Sequence, residues 1–264
     1  MKKTLAILNS ISILAVITIN GMAGAAGIFG ETVGSISDKY NSLFTPAGYA
    51  FSIWGIIYLG LIAFAIFQNI RAFKNNADAE FIHQIGPWFV LNSLANIAWI
   101  FAWLSEHIGL SLLLMLIILG TLIIIISRLN MERWDAPFPI IAFIWWPICI
   151  YSGWIAVATI ANVSAFLVSI QWLALFSAIH WTVIMILVAV ALNLLMVRFR
   201  NMREFAAVGV WALMAIALRH WDTIGLIQWT ALFGAIVLFI ALSIHAYINR
   251  STSPLTKFRQ LDKK

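Results

Sequence analysis

The chain is built from long apolar runs that follow one another from end to end, separated by short polar connections. Each run is long enough for an α-helix of roughly 20 residues to cross a hydrocarbon core about 30 Å thick. The runs are continuous and do not alternate, which argues against a transmembrane β-barrel. The pattern predicts an all-α, polytopic transmembrane helical bundle with about eight spans. The predicted spans are 5–24, 48–68, 86–104, 110–126, 139–161, 173–197, 205–218 and 226–247.

Composition supports the same fold class. Of the 264 residues, 63% are hydrophobic and only 10% are charged, whereas a soluble domain carries about 25% charged residues. No part of the sequence is typical of a soluble domain. The single cysteine, Cys149, lies inside a predicted span, so no intrachain disulfide is expected.

The positive charges fall on alternate connections. Of the 16 Lys and Arg residues, only Lys39 and Arg219 would lie on the side opposite the termini. Because cytoplasmic loops carry an excess of Lys and Arg, this distribution predicts that both termini are cytoplasmic. We expect an integral membrane protein of a bacterial plasma membrane. The basic excess orients the chain and requires no nucleic-acid partner.

The first run also has features of a signal peptide, since Lys2 and Lys3 precede it and small residues occupy 23–26. Polar residues such as Asn9 and Asn20 interrupt this run, which is typical of a packed helix. We therefore expect the first helix to be retained. Cleavage would leave seven spans with the same orientation.

Charged residues are absent from the interior of every predicted span. This argues against a proton relay, ion-coupled transport or voltage sensing, and no lysine is placed for a retinal Schiff base. His180 has no second histidine at similar depth, so a structural role is favoured over haem ligation. Asn92 and Asn193 are expected to form hydrogen bonds between helices. No metal-binding residues are predicted.

One helix face carries the most informative pattern. Tyr151, Trp154, Ala158 and Asn162 are separated by three, four and four residues, so all four side chains fall on one side of the fifth span. The stretch around them carries no charge. Lipid offers no hydrogen-bond partner for such groups, so we expect this face to contact protein or a bound ligand.

Two other spans carry aromatic pairs of the same kind. Trp54 and Tyr58 lie four residues apart in the second span, and Trp99 and Trp103 have the same spacing in the third. The predicted topology places these pairs and the end of the fifth span in the outer leaflet, at one depth. Aromatic core packing would explain any one of them, and both a pocket and a packed core fit the set.

At these residues the chain resembles the tryptophan-rich sensory protein family, also called the translocator protein or peripheral benzodiazepine receptor family. The fifth helix of that family carries a Pro-Tyr-x-x-Trp-x-x-x-Ala-x-x-x-Asn pattern, which Tyr151 to Asn162 match without gaps. Its third helix carries Asn-x-x-Trp, matched by Asn96 and Trp99. Its second helix begins with a Trp-x-Pro-Pro-Gly element followed by a Phe, a Trp and a Tyr.

The chain departs from the family pattern at several positions. Phe44 stands where the family has Trp, Ala47 replaces one proline, and Pro147 lies four residues before the tyrosine that it adjoins in the family. The resemblance covers residues 1–162, which correspond to a five-helix unit. Residues 163–264 would add three transmembrane helices and a short basic cytoplasmic tail.

The resemblance implies a pocket inside the five-helix bundle for tetrapyrroles such as porphyrins, and in some members for sterols or drug-like aromatics. It implies a receptor, sensor or transport role, with a bound tetrapyrrole as the only candidate cofactor. With Trp103 added from the third span, the residues expected to line or shape the site are Pro46, Phe51, Trp54, Tyr58, Asn96, Trp99, Trp103, Tyr151, Trp154, Ala158 and Asn162.

The outer loop 27–45 is a candidate lid for this pocket, and Lys39 within it could meet a propionate group. The expected partners are membrane lipids and a small apolar or tetrapyrrole ligand. Small residues such as Gly55 and Gly120 would also permit a homodimer.

Two alternative functions remain. One is a facilitated transporter or scramblase of lipidic solutes, in which the additional helices form a moving half. The other is enzymatic, for example photo-oxidative porphyrin breakdown. No convincing acid–base pair supports it, because Glu106 with His107 and His220 with Asp222 fall in loops. A non-enzymatic role without catalytic residues is therefore favoured.

Overall fold

A computed structural model describes residues 1–25, 27–40, 42–74, 77–172, 176–250 and 254–261, and it contains no strand among them. Long helices dominate this part of the chain. In chain order they are α1 (Lys2–Ala25), α2 (Ile53–Phe73), α3 (Trp88–Leu104), α4 (Ile108–Arg128), α5 (Trp146–Ser169), α6 (Ala178–Arg200), α7 (Arg203–Arg219) and α8 (Gly225–Ile248).

Each long helix coincides with one predicted span, which confirms the polytopic helical bundle. Six of them are long and apolar enough to cross a membrane, and the exceptions are α3 and α7. These two have 17 residues each, which is at the lower end of the length that can span a bilayer. The predicted start of the sixth span, residue 173, lies outside the described residues, and the described helix begins at Ala178.

The first five helices form a closed ring. α1 packs against α2 and α3, α3 packs against α4, α4 against α5, and α5 returns to α2. On its other side α5 packs against α7, which in turn contacts α6 and α8. The most apolar stretch of the helix that contains α5 is 78% buried, whereas the corresponding stretches of the other five candidate spans are 22–39% buried. α5 is therefore the wall that the ring shares with the last three helices.

A widened turn precedes α5. The helical stretch Phe138–Ser169 is continuous, but Ile141–Trp145 forms a π-turn. Pro147 explains this turn, because proline lacks an N–H donor and its ring clashes with the carbonyl four residues earlier. Pro147 lies against Gly60 of α2, where a Cβ atom would be 3.3 Å from the proline Cβ. The ring closes at this contact.

The connection between α1 and α2 contains a short helix, Val33–Tyr40, which packs against α3 and α5. The sequence predicted only a loop here, because eight residues are too few to reveal a helical period. We call residues 33–40 and 42–47 the outer strap. The end of the bundle that carries it is the strap end.

The cationic residues separate between the two ends as the sequence predicted. At the end opposite the strap, which we call the basic end, Lys2 pairs with Glu80 and Arg200 donates to the Ile126 carbonyl. At the strap end, Arg219 forms an ion pair with a strap residue. Lys263 and Lys264, also predicted at the basic end, lie outside the described residues.

The two buried asparagines behave differently. Asn92 donates to Thr121 Oγ1 on α4 at 2.8 Å, so the predicted interhelical bond is confirmed. The same prediction for Asn193 is wrong, because its Nδ2 donates to the Ala189 carbonyl of its own helix. Its Oδ1 lies so close to α7 that a Cβ on Gly209 would approach it to 2.5 Å. Asn193 therefore packs closely against the backbone of α7 at Gly209 without forming a hydrogen bond to that helix.

The contact between α5 and α7 predicts the effect of one added methyl group. A Cβ on Gly153 would lie 2.8 Å from the Phe205 carbonyl oxygen, and a backbone atom has little room to move. Gly153→Ala should therefore destabilise the protein by about 1–3 kcal/mol. Gly21→Ala on an exposed face of α1 is the matched control, since no atom outside its own stretch of helix backbone lies within 4 Å of its Cβ position. Thermal unfolding in detergent measures both, and equal melting temperatures would contradict the close α5–α7 contact.

Candidate functional site

A narrow cavity of about 50 Å³ lies inside the five-helix ring at the strap end. It is bordered by the strap, the start of α2, and the inner faces of α3, α4 and α5. Nine of the eleven predicted site residues border it. They are Pro46, Phe51, Trp54, Asn96, Trp99, Trp103, Trp154, Ala158 and Asn162.

The remaining two predicted residues lie directly behind this wall. Tyr58 stacks on Trp54 with ring centroids 5.4 Å apart, and the Tyr151 ring lies 6.0 Å from the same indole. The structure therefore brings all eleven residues into one neighbourhood. Their contact with a ligand stays a prediction.

The aromatic pairs form flat, apolar walls. Trp99 and Trp103 stack with centroids 5.8 Å apart and an interplanar angle of 16°. Phe51 meets Trp154 edge to face at 5.9 Å. Residues four apart on a helix lie one above the other. The sequence spacing was therefore sufficient to predict that Trp54 packs on Tyr58 and that Trp99 packs on Trp103.

Sequence reasoning missed the contributions of the strap helix and of α4. Val33 and Ser37 border the cavity from the strap, and Met115 and Ile118 border it from α4. Plain aliphatic residues in an apolar span do not indicate which face points inward. The one available signal was the polar Ser111, which lies four residues before Met115 on the same face.

A chain of hydrogen bonds crosses the ring below the cavity. Asn20 of α1 donates to Asn96 Oδ1 at 2.9 Å, and Asn96 Nδ2 lies 3.1 Å from the Tyr151 hydroxyl. That hydroxyl donates to Asn92 Oδ1 at 3.0 Å, and Asn92 in turn donates to Thr121. The chain therefore links α1, α3, α5 and α4 through side chains that lipid could not satisfy.

A second set of hydrogen bonds lies at the cavity itself. Trp99 Nε1 donates to Asn162 Oδ1 at 2.9 Å, and Asn162 Nδ2 donates to Ser111 Oγ at 3.0 Å. The polar members of the α5 face thus contact protein in this structure. The free surface of the cavity is left mainly apolar.

A protein-family model described as TSPO-like protein matches residues 6–244. The chain belongs to the TSPO-like protein family. Together with its apolar helices, this makes the chain an integral membrane protein. Comparison with curated proteins and with solved structures found no match.

The TSPO-like match extends beyond the five-helix unit on which the motif resemblance rested. It continues from α5 through α6 and α7 into α8. The predicted division after residue 162 would also fall inside α5, which ends at Ser169. The division into two units stays a prediction, and α5 belongs to both sides of it.

In this TSPO-like chain the strap is fastened to the ring by Glu106, which lies between α3 and α4. Lys39 forms an ion pair with Glu106, and the Tyr40 hydroxyl donates to the same carboxylate at 3.2 Å. The Lys39 ammonium lowers the pKa of Glu106, and the carboxylate raises the pKa of Lys39. Lys39, expected to meet a propionate, is thus already paired with a carboxylate of the protein.

The other edge of the strap is fastened to α7. Arg219 Nη1 lies 2.9 Å from Asp38 Oδ1, and the Ala47 N–H donates to the Ala215 carbonyl at 3.1 Å. A helix outside the ring therefore helps to close the cavity. This connection was not visible in the sequence, because it joins residues far apart along the chain.

Two of the histidines have structural contacts. His220 Nε2 lies 2.8 Å from the Leu43 carbonyl oxygen of the strap. His180 lies in the first turn of α6, where it is exposed and its Nδ1 is 2.8 Å from Ser177 Oγ. His180 therefore lies near the start of the sixth span, two residues after the helix begins at Ala178, and it is not a buried histidine.

The hydrogen-bond chain predicts which tyrosine hydroxyl matters for stability. Tyr151→Phe would leave Asn92 Oδ1 without its donor and Asn96 Nδ2 without its acceptor, so we expect a loss of about 0.6–2 kcal/mol. Tyr58→Phe is the control, since the Tyr58 hydroxyl forms no hydrogen bond within the described residues. Thermal unfolding in detergent compares the two. A larger loss in Tyr58→Phe would rule out a bridging role for Tyr151.

Proposed function

We propose that this TSPO-like protein binds a flat apolar aromatic ligand of the porphyrin class in the cavity inside the ring, in a sensor or transport role. The observation that carries the proposal is that stacked aromatic side chains from α2 and α3, together with Trp154 of α5, surround one cavity. Stacking walls of this kind suit a planar conjugated ring. Family membership supports the same conclusion.

The cavity must widen before it can hold such a ligand. Its volume of about 50 Å³ is well below the roughly 300–1,000 Å³ of ordinary ligand pockets. We therefore interpret this structure as the closed form. The strap contributes Val33, Ser37, Thr45 and Pro46 to the cavity lining, so its displacement would enlarge the cavity and open it at the strap end.

Charges at the rim suit the carboxylates of a porphyrin. Lys39 and Arg219 are each paired with a carboxylate of the protein, on Glu106 and Asp38. A ligand carboxylate could replace either partner without leaving a cation unpaired. The exchange would release one edge of the strap as the ligand enters.

We further propose that the protein lies in a bacterial plasma membrane with both termini cytoplasmic. The support is the concentration of Lys and Arg residues at the basic end, which would place the cavity in the outer leaflet. A homodimer through the outer faces of α2 and α4 remains part of this proposal. A Cβ on Gly55 or Gly120 would meet no atom of another helix within 4 Å.

Porphyrin binding predicts selective effects of tryptophan substitutions. Added protoporphyrin should quench the tryptophan fluorescence of the purified protein saturably. Trp154→Ala and Trp54→Ala should each weaken the affinity about tenfold, or about 1.4 kcal/mol, because each removes one stacking wall. Trp229→Ala on the exposed face of α8 is the control and should bind like the wild type. Unsaturable quenching of the folded wild-type protein would refute the proposal.

Variants with one introduced cysteine test the proposed orientation of the protein in the membrane. Thr223→Cys lies in an exposed loop at the strap end, and Lys74→Cys is exposed at the basic end. Cys149 is completely buried, so the wild-type protein provides a blank. A membrane-impermeant maleimide should label Thr223→Cys in intact cells, and Lys74→Cys only after permeabilisation. The reverse pattern would invert the proposed topology.

A further inference from the structure

At the basic end, away from the cavity, three side chains that can bind cations converge between the ring and the last three helices. Glu132 follows α4, Cys149 lies in the first turn of α5, and Glu204 lies in the first turn of α7. One ligand atom of each residue, a carboxylate oxygen or the thiol sulfur, lies within 4.8 Å of the other two. Oxygen and sulfur donors from three separate elements therefore meet at one point.

Cys149 and one carboxylate oxygen of Glu204 are shielded from water, and that oxygen lacks a hydrogen-bond partner. Cys149 is 0% exposed. Glu204 Oε2 is buried and accepts no hydrogen bond from any residue that the structure describes. A buried carboxylate oxygen without a partner is costly, because it has lost its hydration and gained nothing in return. A cation placed between this oxygen and the two other donors would stabilise it.

The charges around the cluster lead to the same conclusion. Lys257, which borders the same small cavity as Glu132, forms its ion pair with Asp135. Within the described residues, no cationic side chain forms an ion pair with Glu132 or Glu204. Two adjacent carboxylates in this position need a proton or a cation between them.

We propose that Glu132, Cys149 and Glu204 bind a divalent cation of the zinc class. A thiolate with two carboxylates suits borderline cations such as Zn²⁺, whereas Mg²⁺ and Ca²⁺ prefer oxygen donors alone. Binding would displace the thiol proton to solvent, because the thiolate is the ligand.

Neighbouring residues support the site. Asn201 Nδ2 donates to the Glu132 carbonyl at 2.8 Å and holds the loop in place. His245 Nε2 lies 3.0 Å from Asn201 Oδ1, and its buried Nδ1 has no hydrogen-bond partner in the part of the chain described. His245 borders the same small cavity as Glu132.

The proposed site would have a structural effect. Glu132 and Cys149 belong to the ring, whereas Glu204 belongs to α7. A bound cation would therefore tie α7 to the ring at the basic end. The Arg219 ion pair ties α7 to the strap at the opposite end. Cation binding should then raise the thermal stability of the whole chain.

The experiment uses the full chain, purified in detergent, stripped with a chelator and titrated with Zn²⁺ against a chromophoric competitor. The wild type should bind one Zn²⁺ per chain. Glu132→Gln and Glu204→Gln should each weaken binding at least about tenfold, since loss of supporting partners alone costs that much. Glu80→Gln is the matched control, an exposed carboxylate at the same end that pairs with Lys2. It should bind like the wild type.

Cobalt provides a second readout that does not depend on affinity. Co²⁺ in the wild-type site should show a thiolate-to-cobalt charge-transfer band, and Cys149→Ser should remove it. Melting curves of the metal-free variants establish that each one folds. Absence of stoichiometric Zn²⁺ binding, unchanged affinity in Glu204→Gln, or no charge-transfer band in the wild type would overturn the proposal. Porphyrin binding is measured at the opposite end, so the two proposals fail separately.

Discussion

The Tyr151 hydroxyl is the interaction on which the ring depends. It bridges Asn92 and Asn96 on α3 and so fixes the register between α3 and α5. Between helices in lipid there is no hydrophobic driving force, and buried polar groups must find partners inside the protein. Once this register is set, the Trp99 indole reaches Asn162 one level higher. The aromatic walls of the cavity follow from the same alignment.

α5 gives the fold its second constraint, because both of its sides are occupied by protein. One face supplies the cavity wall, and Gly153 on another face lets α7 approach to backbone contact. α7 can then reach over the ring, where Arg219 and Ala215 hold the strap. Closure of the cavity thus depends on a helix that does not line it, and the last three helices gain a role in the site.

A feature could be predicted from the sequence when the pattern that indicates it lies within one short stretch of the chain. Apolar runs and residues four apart are local patterns, so the eight helices and the stacked pair Trp99 and Trp103 were predictable. The strap helix was not, because eight residues are too short to show a period. The prediction for Asn193 was wrong because an asparagine side chain indicates a hydrogen bond but does not indicate which helix supplies the partner. The convergence of Glu132 with Glu204 depends on packing between distant segments, and no spacing in the sequence encodes it.

The energetics of closure indicate where a ligand would enter. Separating α3 from α5 would break the buried bonds of Tyr151 and Asn162, leaving polar groups unpaired in an apolar medium. Lifting the strap breaks ion pairs at the surface, such as Lys39 with Glu106, which contribute only about 0–1 kcal/mol each. It also breaks the buried Ser42–Ser164 hydrogen bond and exposes the buried side chains of Ile36 and Phe44. Water at the membrane surface can satisfy the groups that this releases. Entry at the strap end is therefore the route that leaves the hydrogen bonds between α3 and α5, and with them the ring, intact while the cavity opens.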